Sequence, residues 1–219
     1  MGIPDRNYFL SDICTEMDKK WPDNRTVNIV CHGHSVPSGY FATPYVDTFH
    51  AYPHLLHKKI KERFPYAVVN VIVTAIGGEN SVSGARRFHD DVLTHKPDVV
   101  TIDYALNDRG AGLDASYAAH SVMVKAALEN GAKVILLTPS WERSYFEDAK
   151  SFSMLADHRN QIISLAVKYG VGLTDSYKLF EDYVNNGGHL NDLLSHVNHP
   201  NGKGHELISQ DLARWFPAR

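Results

Sequence analysis

The first feature of this sequence that could do chemistry is a serine in a short, glycine-flanked stretch. Ser35 lies within Gly33-His34-Ser35-Val36-Pro37-Ser38-Gly39, directly after a run of β-branched residues. A serine on such a turn presents its hydroxyl at the edge of a sheet, where N–H groups of a following helix start can face the same point. Because a free hydroxyl attacks weakly at neutral pH, a nucleophilic Ser35 needs a base.

His199 is the candidate base, and it stands near the C-terminus in His196-Val197-Asn198-His199-Pro200-Asn201. Pro200 disfavours the α conformation for the residue before it and can itself begin a helix. The imidazole of His199 is therefore expected on a loop just before the last helix. From there it could take the proton of Ser35 as general base and later return it as general acid.

Acyl transfer also needs hydrogen-bond donors aimed at the oxyanion that develops in the transition state. Gly78 can offer an unobstructed N–H and Asn107 a carboxamide, and each follows a β-branched run. A Gly pair can also be a plain bend, and an Asn commonly closes a turn. Taken together, the serine, glycine, asparagine and histidine are all predicted on loops at the carboxyl end of a sheet, where ligands bind in such folds.

The elements that must hold these loops are short β-branched runs, each followed by a segment with helical spacing. That alternation is typical of a parallel sheet covered on both faces. Helical spacing is clearest over 115–126, where apolar residues recur at i, i+3, i+4, i+7 and i+8. The sequence therefore predicts an α/β fold, a three-layer α/β/α sandwich of flavodoxin-like type with a five-stranded parallel sheet. The predicted strands are 27–31, 68–74, 98–104, 133–138 and 171–174.

The length and the net charge of the chain bear on its domain organisation and on the class of partner that it can bind. Residues 1–26 are predicted to be a helical N-terminal extension, because the strand pattern begins only at Val27, and 27–219 are predicted to be the catalytic domain. A chain of 219 residues is short enough for one core to bury most of its apolar surface, so we expect a single domain overall. With 22 Lys plus Arg against 25 Asp plus Glu, a net charge of −3 gives nucleic acid no electrostatic reason to bind.

The sequence lacks the patterns that would indicate a membrane helix, a secretory signal or a cysteine pair. No stretch approaches the roughly 18 apolar residues of a membrane helix, so we predict no membrane insertion. The N-terminus lacks the apolar run of a secretory signal, which indicates a cytoplasmic protein unless a leader was removed beforehand. Cys14 and Cys31 form no C-x-x-C pair and are predicted to be reduced packing residues.

Four short blocks, in this order, resemble the SGNH or GDSL-like hydrolase family over roughly residues 27–214. Each block is a weak signal alone, and the order of all four at strand ends is what makes the resemblance specific. The blocks are 33–39 for Gly-Asp-Ser-x-x-x-Gly, Gly78 or its neighbour Gly77 for the second-block glycine, 105–108 for Gly-x-Asn-Asp, and 196–199 for Asp-x-x-His followed by Pro.

The resemblance implies a serine esterase or deacylase that hydrolyses small acyl esters, with acetyl esters on carbohydrates preferred. Ser35 would be the nucleophile and His199 the base, and the oxyanion hole would consist of the Ser35 N–H, the Gly78 N–H and the Asn107 side chain. No metal or organic cofactor is implied. The expected partner is a small-molecule acyl ester or an acetylated sugar, with a short-chain lipase or a thioesterase as alternatives.

Two departures from the family pattern bear on activity. His196 stands where the family has the Asp that orients the base, and a histidine cannot supply the same negative charge. A main-chain carbonyl near His196 could accept the His199 Nδ1–H and leave a dyad, Asp192 could reach in from upstream, or the enzyme could be slow or inactive; the dyad is favoured. His34 in the Asp position of the first block removes a carboxylate that would order the loops, but no catalytic group.

Four more side chains have two interpretations each. Arg109 could bind an acidic group of the substrate or form a surface salt bridge. Tyr40, Trp141 and Tyr145 follow predicted strands, where aromatic faces could stack on a sugar ring or line an acyl pocket. They could equally cover the edge of the core.

Three other interpretations of the sequence compete with an SGNH-type esterase. His32-x-His34 could contribute to a metal site, but no carboxylate or cysteine has recognisable ligand spacing, so His32 is expected to be a half-buried strand residue. A catalytically impaired, flavodoxin-like binding module is the non-enzyme alternative, which the two missing carboxyl groups and Ala105 leave open. An ordinary α/β-hydrolase is disfavoured, because the serine stretch lacks the final Gly of the G-x-S-x-G elbow.

Overall fold

Five parallel strands carry the fold in a computed structural model that describes residues 2–196 and 198–218. In space their order is β2-β1-β3-β4-β5, and every neighbouring pair is parallel. This confirms the predicted five-stranded parallel α/β sandwich. The strands are β1 (Thr26–Gly33), β2 (Val68–Val73), β3 (Val99–Asp103), β4 (Lys133–Leu137) and β5 (Gly172–Thr174).

Helices cover both faces of this sheet. One face packs against α2, α4, α9 and α10 through residues such as Ile29 and Leu56, and the other packs against α5, α6 and α8 through Val30 and Met123. Alternate residues of β1 therefore enter opposite cores, as expected for a strand buried on both sides. The helices are α1 (Arg6–Phe9), α2 (Ser11–Asp18), α3 (Ser35–Ser38), α4 (Tyr52–Arg63), α5 (Ser81–Asp91), α6 (Leu113–Glu129), α7 (Ser144–Glu147), α8 (Ala149–Tyr169), α9 (Ser176–Asn185) and α10 (Gly202–Ala213).

The N-terminal segment contributes to the core. Helices α1 and α2 occupy most of residues 6–18, and Leu10, Cys14 and Met17 are buried against the strand residues of one face. Arg6 also pairs with Asp211 of α10 at 2.6 Å. These contacts tie the two ends of the chain to the same layer.

Strand β1 is longer than the sequence predicts and ends directly at the serine turn. It extends from Thr26 to Gly33 because His32 and Gly33 pair with Ile102 and Asp103 of β3. A side chain at Gly33 would not fit there, since a Cβ would lie 2.4 Å from the Asp103 carbonyl oxygen. The chain leaves β1 for β2 on one side and later returns to β3 on the other, so the β1/β3 edge is the switch point at which ligands bind in such folds.

Short polar side chains set where the helices that border this edge begin. Asn80 accepts the Ser83 N–H at the start of α5, and Asn201 accepts the N–H groups of Lys203 and Gly204 at the start of α10. Such N-caps satisfy donors that have no partner inside the helix. Within the described part of the chain, no helix has the length and apolar character needed to cross a membrane.

Candidate active site

Ser35 and His199 are in direct contact at the carboxyl end of the sheet. The Ser35 Oγ and the His199 Nε2 are 2.9 Å apart, although the two residues are separated by 164 positions. Both are largely buried, with 4% and 6% of their surfaces exposed. The distance lies within the hydrogen-bond range required between a nucleophile and its base.

The other ring nitrogen of His199 is bound to a main-chain carbonyl. Its Nδ1 lies 2.8 Å from the carbonyl oxygen of Phe41. Because a carbonyl oxygen only accepts, Nδ1 must carry the proton, and the lone pair of Nε2 then faces Ser35. The ring therefore has the tautomer that a general base for Ser35 requires.

The side chains that sequence reasoning offered as orienting groups do not contact His199. Asp192 lies in an exposed 3₁₀ turn, where its Oδ2 accepts the Tyr183 hydroxyl at 2.9 Å and the His189 N–H at 3.2 Å. His196 is exposed. The expected carbonyl near His196 is also not the acceptor, because the chain after β1 brings the carbonyl of Phe41 to the ring instead.

The serine turn is a single helical turn with defined ends. Helix α3 starts at Ser35, its N-cap is His34, and Gly39 closes it with a φ of +87° that favours glycine. The Nδ1 of His34 accepts the Val36 N–H at 3.1 Å. Among the described residues, no group accepts the N–H of Ser35, so this donor is free to face a substrate.

The predicted oxyanion donors lie around the same cleft. Its volume is about 360 Å³. Asn107 donates one of its two amide N–H groups to the Glu79 carbonyl at 2.9 Å, which fixes the carboxamide and leaves the second N–H unassigned. The lining residues are Ser35, Tyr40, Thr43, Gly77, Gly78, Asn107, Asn198 and His199.

The two candidate glycines have different environments. Gly78 has a φ of +77°, and a Cβ there would meet nothing within 4 Å. Gly77 packs against Tyr40, where a Cβ would lie 2.9 Å from the ring. Gly78 is thus in the left-handed region that favours glycine and has an open approach, whereas Gly77 is needed for the close packing of Tyr40.

Buried polar contacts hold the loop that carries these glycines. Asp108 accepts the Ser81 N–H at 2.8 Å, which joins the end of the loop to the residue after Asn107. The Glu79 carboxylate accepts the Tyr104 hydroxyl at 2.7 Å and pairs with Arg87. Sequence reasoning did not identify Glu79, Phe41 or the cleft residues Thr43 and Asn198, and for Phe41 no side-chain signal existed, because its carbonyl makes the contact.

The environment lowers the pKa of His199 below its usual value. Burial, which disfavours the imidazolium form, is the largest cause, and the neighbouring imidazole rings of His34 and His196 lower the pKa of His199 further. The Phe41 carbonyl opposes this effect by stabilising the Nδ1 proton. The net result keeps the ring neutral, as a base must be, at pH values where an ordinary histidine begins to protonate.

The three side chains predicted to bind substrate lie in different places. Tyr40 lines the cleft, and its ring centroid is 6.0 Å from that of His199. Trp141 does not line it; the ring is buried and stacks on Tyr145 at 4.8 Å. Arg109 is also turned away, since its guanidinium pairs with Glu142 at 2.8 Å. Trp141 thus packs within the protein, and Arg109 pairs with a buried carboxylate instead of forming the surface salt bridge that was its structural interpretation.

His32 is fully buried, where half-burial was expected. Its Nδ1 lies 2.8 Å from the Thr74 hydroxyl, and its Nε2 lies 3.1 Å from the Tyr104 hydroxyl. Both ring nitrogens are thus engaged by protein groups. Across residues 2–196 and 198–218, no set of three His, Cys, Asp or Glu side chains is arranged to hold a metal ion.

Comparisons with known proteins agree with this architecture. A family model described as the GDSL-like lipase/acylhydrolase family matches residues 31–207. A comparison with curated proteins found no sequence match.

Solved structures with the same fold include several esterases. An acetylxylan esterase from Geobacillus stearothermophilus superposes with a TM-score of 0.75 at 18% identity, covering 88% of this chain and 97% of that one. A G-D-S-L family protein from Desulfitobacterium hafniense DCB-2 gives 0.71 at 21% identity, covering 86% and 99%. A two-domain esterase active on acetylated mannans gives 0.74 at 19% identity, covering 95% of this chain and 52% of that one. At these identities the likeness shows the fold.

Proposed function

The chain belongs to the GDSL-like lipase/acylhydrolase family, and from that premise we propose that it is a serine esterase in which Ser35 and His199 act as a catalytic dyad. The observation that carries the proposal is the 2.9 Å contact between the Ser35 Oγ and the His199 Nε2, made by a ring whose Nδ1 proton is held by the Phe41 carbonyl. An ester-hydrolysing enzyme of this family needs such a nucleophile and base in contact.

The reaction would proceed in two halves. In the first, the Ser35 Oγ attacks the ester carbonyl carbon while His199 Nε2 takes the hydroxyl proton, and the tetrahedral intermediate collapses as His199 returns that proton to the departing alcohol. In the second, a water molecule attacks the acyl-serine, His199 takes its proton, and that proton returns to Ser35 as the carboxylic acid leaves. No cofactor is part of this sequence of steps.

Three donors would stabilise the oxyanion in both halves. The N–H groups of Ser35 and Gly78 and the second N–H of the Asn107 amide border one cleft. Donors stabilise an oxyanion best when they are already in position before the reaction. Asn107 meets this condition, because its bond to the Glu79 carbonyl fixes the carboxamide, which then does not have to reorient during the reaction.

The dyad compensates in part for the missing family carboxylate. A carbonyl oxygen can fix the tautomer and the orientation of His199, but it carries no net charge to stabilise the imidazolium. In the acetylxylan esterase with the same fold, a serine, an aspartate and a histidine were each replaced to make catalytic mutants. We therefore expect this enzyme to lack the electrostatic part of the aspartate's contribution while retaining the orientational part.

The proposed substrates are small acyl esters, with acetyl groups on carbohydrates preferred. The cleft of about 360 Å³ suits a short acyl group. Tyr40 borders it and offers an aromatic face beside His199. Two esterases with the same fold act on acetylated xylan and acetylated mannans, which favours this class over a lipase or a thioesterase.

Hydrolysis of p-nitrophenyl acetate by the parent enzyme and by Ser35→Ala, His199→Ala and Asp192→Ala tests the dyad. We expect the first two variants to lose about 10³-fold or more in kcat, because each removes an essential half of the nucleophile and base pair. Asp192→Ala is the control, since this carboxylate contacts Tyr183 and the His189 N–H instead of His199. A comparable loss in Asp192→Ala would replace the dyad by a triad.

An acyl-length series with p-nitrophenyl esters, followed by acetylated xylo-oligosaccharides and a thioester, tests the substrate class. Activity that falls steeply beyond short acyl chains and extends to the acetylated sugars supports the proposal. Preference for long acyl chains or for the thioester would favour the alternatives. Inertness toward all of these substrates would favour a binding module.

A further inference from the structure

A second histidine, His34, lies beside the nucleophile. His34 has 1% of its surface exposed, and its Nδ1 is 3.5 Å from the Ser35 Oγ. Its Nε2 faces the Asp103 carboxylate, with 3.5 Å between Nε2 and Oδ1. Asp103 is itself buried at the end of β3, the strand next to β1.

The hydrogen bonds of His34 define its tautomer. Nδ1 accepts the Val36 N–H at 3.1 Å, so Nδ1 cannot carry a proton. The ring proton must then be on Nε2, which lies 3.5 Å from the Asp103 Oδ1. In the described part of the chain, no hydrogen-bond partner at ordinary distance satisfies this Nε2, which leaves the carboxylate as the acceptor that faces it.

Asp103 is held in place from several sides. Its Oδ2 accepts the Tyr52 hydroxyl at 3.1 Å, and its main-chain carbonyl accepts the His34 N–H at 3.1 Å. Gly33 packs against the same carbonyl without room for a side chain. A carboxylate fixed in this way can select one tautomer of the neighbouring ring, because only an Nε2–H is attracted to it.

That tautomer determines which donors at the serine turn are free. With Nδ1 unprotonated, His34 takes up the Val36 N–H, and the Ser35 N–H has no acceptor among the described residues. With the proton on Nδ1 instead, two N–H groups would oppose each other at 3.1 Å, and the first turn of α3 would have to open. The position of the Ser35 hydroxyl and N–H therefore depends on the proton of His34.

We propose that Asp103 is a positioning residue for the nucleophile, acting through His34: it keeps the proton on Nε2 so that Nδ1 caps the turn that presents Ser35. His34 and Asp103 together then take the place of the single Asp in the family's first block. The proposal rests on the proposed function, because it assigns a role in presenting Ser35 for attack. His34 is not a second base, since its Nδ1 lone pair is bound to Val36 and is farther from Ser35 than His199 is.

The proposal predicts a specific coupling between the two side chains. In His34→Asn, the carboxamide oxygen can cap Val36 directly, because Asn is among the best N-cap residues and needs no proton partner behind it. Replacing Asp103 should therefore reduce kcat when His34 is present and have little effect when Asn replaces it. His34→Ala, which has no acceptor, should be impaired whether or not Asp103 is present.

The experiment is a double-mutant cycle on p-nitrophenyl acetate hydrolysis with Asp103→Asn and Asp103→Leu, each made in the parent and in the His34→Asn background. We expect a loss of about tenfold or more in kcat, with KM within about threefold, in the parent background, and a change below about twofold in the His34→Asn background. The rate at which an aryl organophosphate labels Ser35 should follow the same pattern, since it reports the nucleophile directly.

Thr174→Val is the matched control, because it replaces another polar side chain that is buried in the sheet, on β5, which neighbours neither β1 nor β3. It should keep kcat within about twofold while its thermal midpoint reports the general cost of replacing a buried polar side chain of the sheet. Equal losses from the Asp103 substitutions in both backgrounds, or no loss in the parent, would overturn the inference. If Asp103→Leu does not fold, Asp103→Asn carries the test. A parent enzyme that hydrolyses no ester would refute the proposed function, whereas an active parent with unaffected Asp103 variants would refute only this inference.

Discussion

The main-chain carbonyl of Phe41 accepts the Nδ1 proton of His199 at 2.8 Å, across 158 positions of sequence. Phe41 follows the serine turn, so the segment that presents Ser35 also holds the opposite side of the imidazole. The carbonyl is supported by the Phe41 ring, which stacks on the buried ring of His205 with centroids 5.0 Å apart. An acceptor without charge thus occupies the position at which a triad has a carboxylate.

The pH dependence of activity should reflect the lowered pKa of His199. Burial, aided by His34 and His196, outweighs the opposing effect of the Phe41 carbonyl. Because only the neutral ring accepts the Ser35 proton, kcat/KM for the free enzyme should rise through a pKa below about 6.5, the ordinary histidine value. A profile of kcat/KM against pH with p-nitrophenyl acetate measures it. An acid limb centred above that value would contradict the prediction.

Restoring the family residue with His196→Asp should not restore a triad. The Nδ1 proton of His199 is already bound to Phe41, and residue 196 is exposed, so we expect kcat to stay within about threefold of the parent. The acid limb should move to higher pH, because a carboxylate near His199 favours the imidazolium that a cation disfavours. His196→Ala, which only removes the ring, is the control. An increase of tenfold or more in kcat would show that the carboxylate displaces the Phe41 carbonyl.

Asn107→Ala should impair the chemical step more than binding. Loss of an oxyanion donor costs about 10²- to 10³-fold in kcat, and KM should change little because the interaction strengthens only in the transition state. The matched control is Asn130→Ala, an exposed asparagine whose amide donates to the Ala126 carbonyl at the end of α6. Steady-state kinetics of both variants decide the point. A rise in KM at constant kcat would assign Asn107 to substrate binding.

Trp141→Ala should destabilise the fold. The ring is 5% exposed and packs against Tyr145, Phe152 and Tyr177. Truncation of a buried aromatic side chain costs about 3–5 kcal/mol in the free energy of unfolding, which urea denaturation measures. Tyr40→Ala is the contrast: this ring borders the cleft, so its removal should raise KM for an acetylated sugar. If the Trp141→Ala variant remains folded and its KM changes, Trp141 would be assigned to substrate binding instead.

Much of the fold could be predicted because its signals are local. A run such as 68–74 is apolar and β-branched over a length that suits a strand, and the spacing over 115–126 is helical, so both patterns can be recognised without knowing their neighbours. Parallel strands end at one edge of their sheet, so the loops after β1 and β3 had to meet. Ser35 and Asn107 were therefore predicted at one edge, and they line one cleft.

The ends of the strands and the directions of some side chains could not be predicted in this way, because they depend on contacts between residues that are distant in the sequence. Strand β1 continues to Gly33 because β3 pairs with it there. Trp141 and Arg109 both follow β-strand ends, yet Trp141 turns into a cluster of rings and Arg109 turns to Glu142. Their direction is decided by packing partners from other loops, which the residue types alone leave open.

The sequence by itself determined the family, the parallel sheet and the chemical types gathered at its edge, because turn residues and apolar periodicity act over a few neighbouring positions. Only the tertiary structure decided what orients His199 and what lies behind His34. The first partner is a main-chain carbonyl, an atom that every residue carries and no motif marks. The second is Asp103, which strand pairing brings to the turn from a distant part of the chain.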